Sequence, residues 1–280
     1  MQKIIFQSKF FNAHDTLNCG QIFRFKPFRE GYLVFSTDKV AYLTHEGEFT
    51  GITINDGDEK YFANFFDLDR DYFKIYESAK EEDVDILRLA CEKGKGIRIL
   101  NQDPVETTFS FIISQNNNIP RIKGIIEKLC KELGERKSFL GEEYFAFPTA
   151  ENMSKMPESF YQSLGLGYRA KYIKSLADNI ANGLNLYSFS CLETDVLKFK
   201  LQSLLGVGQK VADCVALFGY HRSDSFPVDT WIEKVYKQDF GGKENSRDKI
   251  TDYFLKKFKN NAGYYQQYLF YYKREIENRK

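Results

Sequence analysis

The stretch "LLGVGQKVADCVALFGYHRSDSFPVDTWI", residues 204–232, decides the reading of this chain. Two glycines flank Val207, a single lysine follows at Lys210, and Asp229 comes directly after Pro227 and Val228. The pattern reads as two helices joined by a tight turn. Glycine adopts positive φ without steric cost, so Gly206 and Gly208 are expected to let the chain reverse sharply. In the second helix Val211, Cys214, Val215 and Phe218 share one face at helical spacing. The turn leaves the backbone N–H groups of Gly208, Gln209 and Lys210 without acceptors inside the helix. Aimed outward, they form an anion site, and no Asp or Glu stands inside the turn to repel a phosphate.

Lys210 falls in the first turn of that helix, where the helix dipole and partial burial both disfavour an ammonium. A neutral amine is a nucleophile that can attack a sugar carbon and end as a Schiff base. A surface lysine that simply touches phosphate fits the spacing equally well. Asp229 is placed as an N-cap, accepting from the N–H groups of Trp231 or Ile232. Capping alone accounts for it. A carboxylate held rigid and ionised by those donors can also stabilise a cationic, sugar-like transition state.

The whole chain narrows the choice. Its 280 residues leave room for one large domain or two smaller ones. The net charge is only +1, so a nucleic-acid surface must be local rather than a property of the bulk. Cys19, Cys91, Cys130, Cys191 and Cys214 contain no pair spaced as zinc or iron–sulfur ligands, which points to free thiols in a reducing compartment. His14, His45 and His221 are scattered, which speaks against a His-based metal site or triad. No metal and no cofactor is expected. No apolar run reaches the length of about 18 residues that a membrane span needs, and the N-terminus lacks a signal-peptide core. A soluble intracellular protein without a membrane partner is expected, cytoplasmic at the nucleoid in a prokaryote or nuclear in a eukaryote.

The fold class reads as α+β, with an N-terminal antiparallel β domain over 1–80 and a large all-helical region over 81–280. "QIFRFKPFREGYLVFS" and "KVAYLTHEGEFTGITI" alternate apolar and polar residues around Gly31 and Gly47, as a meander does. "NDGDEKYFANFFDLD" is expected to be an acidic, aromatic connector. Beyond it, Asp103, Pro104 and Glu106 form a strong helix start. Ile122, Ile125, Ile126, Leu129 and Leu133 make one apolar stripe ending at Gly134. Further helices are expected over 193–205, 209–220, 229–238, 246–257 and 262–276.

Lys210 and Asp229 together carry a resemblance. "LLGVGQKVADCVALF" followed by "PVDTWI" resembles the helix-hairpin-helix and Gly/Pro…Asp motif of base-excision DNA glycosylases, and within them the eukaryotic-type 8-oxoguanine DNA glycosylase/lyase family. "LNCGQIFRF" (17–25), "SQNNNIPRIKGIIEKLC" (114–130), "LGLGYRAKYI" (164–173) and "AGYYQQYLF" (262–270) support it in order. The resemblance implies a monomeric enzyme acting on double-stranded DNA that contains 8-oxoguanine opposite cytosine. It implies that Lys210 is the nucleophile and Asp229 its stabiliser. Cys214 and Phe270 would sandwich the flipped base, Gln266 would read its Watson–Crick edge, and Gly20 would offer a carbonyl to the N7 hydrogen that guanine lacks. Tyr168 would wedge into the duplex and Asn116 would fill the gap. Arg121 and Arg169 would bind the orphaned cytosine, with Gly206, Gly208 and Gln209 on the backbone. Trp231 departs from the family, whose better-known members carry His there. Two other readings stay open: a glycosylase of the same fold for another oxidised or alkylated base, and a non-catalytic DNA-binding module.

Overall fold

The computed structural model describes residues 1–277; residues 278–280, the end of the expected helical region, lie outside the described residues. Strands β1 (Gln2–Gln7), β2 (Phe25–Phe28), β3 (Gly31–Ser36), β4 (Lys39–Glu46) and β5 (Phe49–Ile54) form an antiparallel sheet in the order β1-β5-β4-β3-β2. The alternating segments make the β2–β5 meander, as their period requires. The first strand is an addition: the N-terminus returns to pair with β5, Gln2 opposite Ile54. Val34, Ala41, Leu43, Ile52 and Ile54 point to one face and are fully buried.

That face explains the first departure from the sequence reading. Residues 55–69 are not only a connector, because α2 (Glu59–Phe65) lies within them, after α1 (Ala13–Asn18). Phe62, Phe65 and Phe66 are buried against the sheet residues just named. Each buried phenyl ring contributes on the order of 2–3 kcal/mol, more than its weak helix propensity costs. The helical run after the sheet therefore begins at Glu59, and α3 (Tyr72–Glu81) and α4 (Asp85–Gly94) follow.

The second departure is a hairpin inside the region expected to be all helical. Strands β6 (Arg136–Phe139) and β7 (Glu142–Phe145) are joined by Leu140 and Gly141 at φ +54° and +85°, the two positive values a type I′ turn needs. Phe139 and Tyr144 pack on Leu33, Val40 and Tyr42, covering the other face of the large sheet. The remaining helices are α5 (Pro104–Ser114), α6 (Ile119–Leu133), α7 (Ala150–Ser154), α8 (Glu158–Ser163), α9 (Ala170–Ala181), α10 (Thr194–Gln202), α11 (Gln209–Gly219), α12 (Thr230–Asp239), α13 (Arg247–Phe258) and α14 (Ala262–Glu277). They enclose a separate core in which α11 is buried from Val211 to Gly219.

One buried ion pair joins sheet and helices. The helix start at Asp103 caps α5, its Oδ1 accepting from the Glu106 amide at 2.8 Å. Glu106, one turn in, accepts from both Arg24 Nη1, at 3.2 Å, and the Thr37 amide, at 2.6 Å. Arg24 also donates to the carbonyl oxygens of Thr37 and Phe145. Arg24→Ala leaves a buried carboxylate without its cation and is expected to destabilise the fold by about 3–5 kcal/mol. Urea unfolding measures this, and a loss below about 1 kcal/mol would show that the pair does not hold the two parts together.

Candidate active site

The turn before α11 sets the position of Lys210. Gly206 has φ +83°, and a Cβ there would stand 2.4 Å from the Tyr172 ring, so both the backbone and the close approach to α9 require glycine. Gly208 differs from the expectation of a second positive φ. Its φ is −90° and it is the cap residue of α11, with open space where a side chain would lie. What glycine provides there is a bare backbone beside free amides, not a left-handed turn.

Lys210 is half-buried and its ammonium lies over the Phe111 ring, 5.4 Å from the centroid. It lines a cavity of about 60 Å³ together with Gly20, Cys214, Asp229, Gln266 and Phe270. These residues come from four separate segments of the chain, and the fold brings them to one place. Cys214, one turn after Lys210, is buried, and burial pushes its thiol up to about 11, so it is a neutral wall at physiological pH. Asp229 caps α12, its Oδ1 accepting from the Trp231 and Ile232 amides at 3.0 Å each. Burial raises its carboxyl above the usual carboxylate value; the Ile232 amide, Lys210 and the Trp231 amide pull it partly back. The donors therefore do not hold it below the ordinary range, as capping alone would.

Gln266 is buried, donates to the Pro227 carbonyl at 3.1 Å, and keeps its own Oε1 without a partner. A buried acceptor left open costs about 1–3 kcal/mol and is relieved by a ligand N–H. Gly20 has φ +87°, and a Cβ at that position would stand 3.3 Å from the Phe270 ring. The ring thus narrows the cavity, which is smaller than a purine, and must swing aside to admit one. Gln267, beside the expected reader, donates to the Cys19 carbonyl at 2.8 Å and fixes the turn that carries Gly20. The sequence reading missed it, as it missed Phe111, because a second Gln and a Phe in an apolar run carry no distinct pattern.

A wider groove of about 710 Å³ continues from Lys210 and Asp229 past Asn116, Tyr168, Gly208 and Gln209 to Arg247. Tyr168 is half exposed, with its ring edge-on to Tyr172 at 5.9 Å. Asn116 takes φ +47°, which asparagine tolerates better than most residues, and is exposed. Asn118 caps α6, so only the first of the three asparagines is free of local duty: Asn117 donates to the Ile113 carbonyl. Gln209 bridges Gln202 and Asp213. Arg121 is exposed beside the groove and donates to the Gly165 carbonyl at 3.2 Å. Arg169 is placed otherwise than expected. It is buried, and its guanidinium is engaged by the carbonyls of Gln115, Asn116 and Leu166. It holds the Asn116 loop in place while stacking on Tyr168 at 4.4 Å.

Residues 3–108 match the family described as "8-oxoguanine DNA glycosylase, N-terminal domain", and residues 109–260 match "HhH-GPD superfamily base excision DNA repair protein". The chain belongs to the 8-oxoguanine glycosylase family of this superfamily. A crystal structure of the Clostridium acetobutylicum 8-oxoguanine glycosylase/lyase, in complex with double-stranded DNA containing cytosine opposite 8-oxoguanine, is similar with a TM-score of 0.92 and 37% identity, over 96% of this chain and 93% of that one. The Saccharomyces cerevisiae N-glycosylase/DNA lyase is 40% identical over 52% of this chain, and the match takes in 42% of the yeast protein. For Arabidopsis thaliana N-glycosylase/DNA lyase OGG1 the identity is 32%, over 63% of this chain and 52% of the plant protein. This chain thus matches about half the length of those two relatives. No described helix is long and apolar enough to cross a membrane.

Beneath Lys210 a second buried pair braces the hairpin. Asp213 Oδ1 lies 3.2 Å from Lys198 Nζ, joining α11 to α10, and Asp213 also accepts from Gln209 and Ser225. Burial lifts the Asp213 carboxyl from 3.8 to about 6, with Lys198 opposing. A folded-state value above the unfolded one means that the native state binds the proton more tightly, so this contribution favours folding at low pH and is lost as pH rises through about 6. Asp213→Asn removes the titration. The difference in unfolding free energy between parent and variant is expected to move in favour of the variant as pH is raised from about 4 to about 6. A difference independent of pH in urea titrations would rule out this account.

Proposed function

We propose that this chain is a bifunctional DNA glycosylase and abasic-site lyase that excises 8-oxoguanine opposite cytosine. The observation that carries the reading is the convergence of Lys210, Asp229, Cys214, Gln266, Phe270 and Gly20 on one cavity at the end of an open groove. Duplex DNA lies along that groove, its phosphates on the free amides at the start of α11. The target nucleotide turns out of the stack, because its glycosidic bond is unreachable inside it. Tyr168 enters the gap, with Asn116 behind it. All these groups come from one chain, so a monomer suffices.

In the cavity the base is held between Cys214 and Phe270. Gln266 Oε1, otherwise unpartnered, accepts an N–H from the Watson–Crick edge. The edge of a guanine-type base has N1–H and N2–H there, whereas adenine has a bare N1. The Gly20 carbonyl accepts the N7–H of 8-oxoguanine and meets only a lone pair on guanine. The amine of Lys210 bonds to C1′ as the bond to N9 breaks, and the base leaves with a proton. The amino sugar opens to an imine, loses a C2′ proton, and expels the 3′ phosphate by β-elimination. Asp229 stabilises the positive charge that builds on the sugar.

Two rivals separate on simple grounds. A binding module has no use for a half-buried lysine lining a recess beside an unpartnered acceptor, and it forms no adduct with DNA that borohydride can reduce. A glycosylase for another lesion is tested by offering 8-oxoguanine, thymine glycol and 3-methyladenine duplexes together. Lys210→Gln is expected to abolish excision and borohydride trapping while DNA affinity stays within about twofold; excision near the parent rate in this variant defeats the assignment. Arg121→Ala, at an exposed position, is expected to lower the preference for cytosine over adenine opposite the lesion by about tenfold. Identical opposite-base ratios for parent and variant remove that role. Arg169 is a poorer probe of base choice, since its loss also frees the Asn116 loop.

A further inference from the structure

Helix α14 has two faces with different tasks. Gln266 and Phe270 face the cavity. Gln267, Tyr271 and Arg274 face the end of α1 and the turn that follows it. Gln267 donates to the Cys19 carbonyl at 2.8 Å, Tyr271 donates to Asp15 at 2.6 Å, and Arg274 Nη2 donates to the Asn18 carbonyl at 2.5 Å. The turn so fastened is the one that presents Gly20. Arg274 does one thing more: its guanidinium lies over the Phe270 ring, 5.3 Å from the centroid. Its Nη1 is buried without a partner and comes within 3.5 Å of the Cβ position at Gly20.

We infer that Arg274 is the positioning residue that sets the spacing between the Phe270 ring and the Gly20 carbonyl, and so tunes recognition of the oxidised purine. The inference rests on the proposed function and adds a residue outside the cavity itself. The guanidinium bears on both sides at once: it lies over the Phe270 ring, and it holds the turn through a charged hydrogen bond to the Asn18 carbonyl, two residues before Gly20. Phe270 must move to admit a base, and Arg274 is what it moves against. Losing the guanidinium lets ring and turn shift independently. Misplacement of a stacked base by a fraction of an ångström slows attack at C1′, yet a site that already lacks a base does not feel it.

The test uses the full chain in three forms: parent, Arg274→Ala and Arg274→Lys. Two single-turnover rates are read, base excision from an 8-oxoguanine·cytosine duplex and cleavage of a preformed abasic duplex, together with the thermal midpoint. Arg274→Ala is expected to slow excision by about tenfold while abasic cleavage stays within about twofold. Arg274→Lys keeps a donor for the Asn18 carbonyl without the guanidinium over the ring and is expected to fall between. Unchanged excision in Arg274→Ala, or equal losses in both reactions, overturns the role. A parent chain that neither excises 8-oxoguanine nor traps on an abasic site defeats the underlying function, whereas an active parent with an indifferent Arg274→Ala defeats this inference alone.

Discussion

The close approach of the Gly206 turn to Tyr172 is the constraint on which the site depends. No side chain fits between them, since a Cβ would stand 2.4 Å from the ring. This contact fixes where α11 begins, and with it the direction in which Lys210 leaves the helix. One residue earlier or later in the turn would carry the amine about 100° around the helix, away from Phe111 and the cavity. The buried body of α11, from Val211 to Gly219, then prevents the helix from rotating to compensate. Packing thus places the amine, and the electrostatics act on a group already aimed.

Charge is distributed to suit that arrangement. With a net charge of +1, the chain has no bulk basicity to offer, so under the proposed function fixed backbone dipoles and single side chains would meet the polyanion. Asp213 stands just below the hairpin but is occupied by Lys198, Gln209 and Ser225, so its negative charge is compensated from beneath. The Arg24–Glu106 pair does comparable work at the junction of sheet and helices. Both pairs are buried and bonded to further groups, the condition under which losing one partner is costly.

Much of this was legible in sequence because it depends on local rules. The Asp103 and Asp229 caps follow from residue type at a helix start, and the Ile122–Leu133 stripe from a period. The residues proposed for the base pocket were named through motif resemblance, since nothing local links Gly20 to Phe270. What escaped was decided by distant partners. The aromatic segment around Phe62 becomes helix only because a sheet face needs covering, and the first strand exists only because β5 offers a free edge. Arg169 looked like a surface reader in "LGLGYRAKYI", but the carbonyls that bury it come from the Gln115–Asn116 loop, far away in sequence. Gly208 shows the converse error: its residue type suggested a backbone angle, whereas what it supplies is empty space.

Trp231 bears on the proposed chemistry through what remains beside it. The indole neither gains nor releases a proton at neutral pH, and its ring lies under Lys234, 4.5 Å from the ammonium. No histidine lines the cavity or the groove. Cys214, pushed up to about 11, does not ionise in the working range. Under the proposed mechanism Asp229 is the group that would exchange a proton with Lys210 across the cavity. Both capping amides use its Oδ1, which leaves Oδ2 for that task. A carboxyl raised by burial is a stronger base than an exposed one, so under the proposed mechanism the desolvation that departs from a plain cap would let the residue accept a proton as the amine attacks. Under the proposed mechanism the cap and the proton acceptor are one residue.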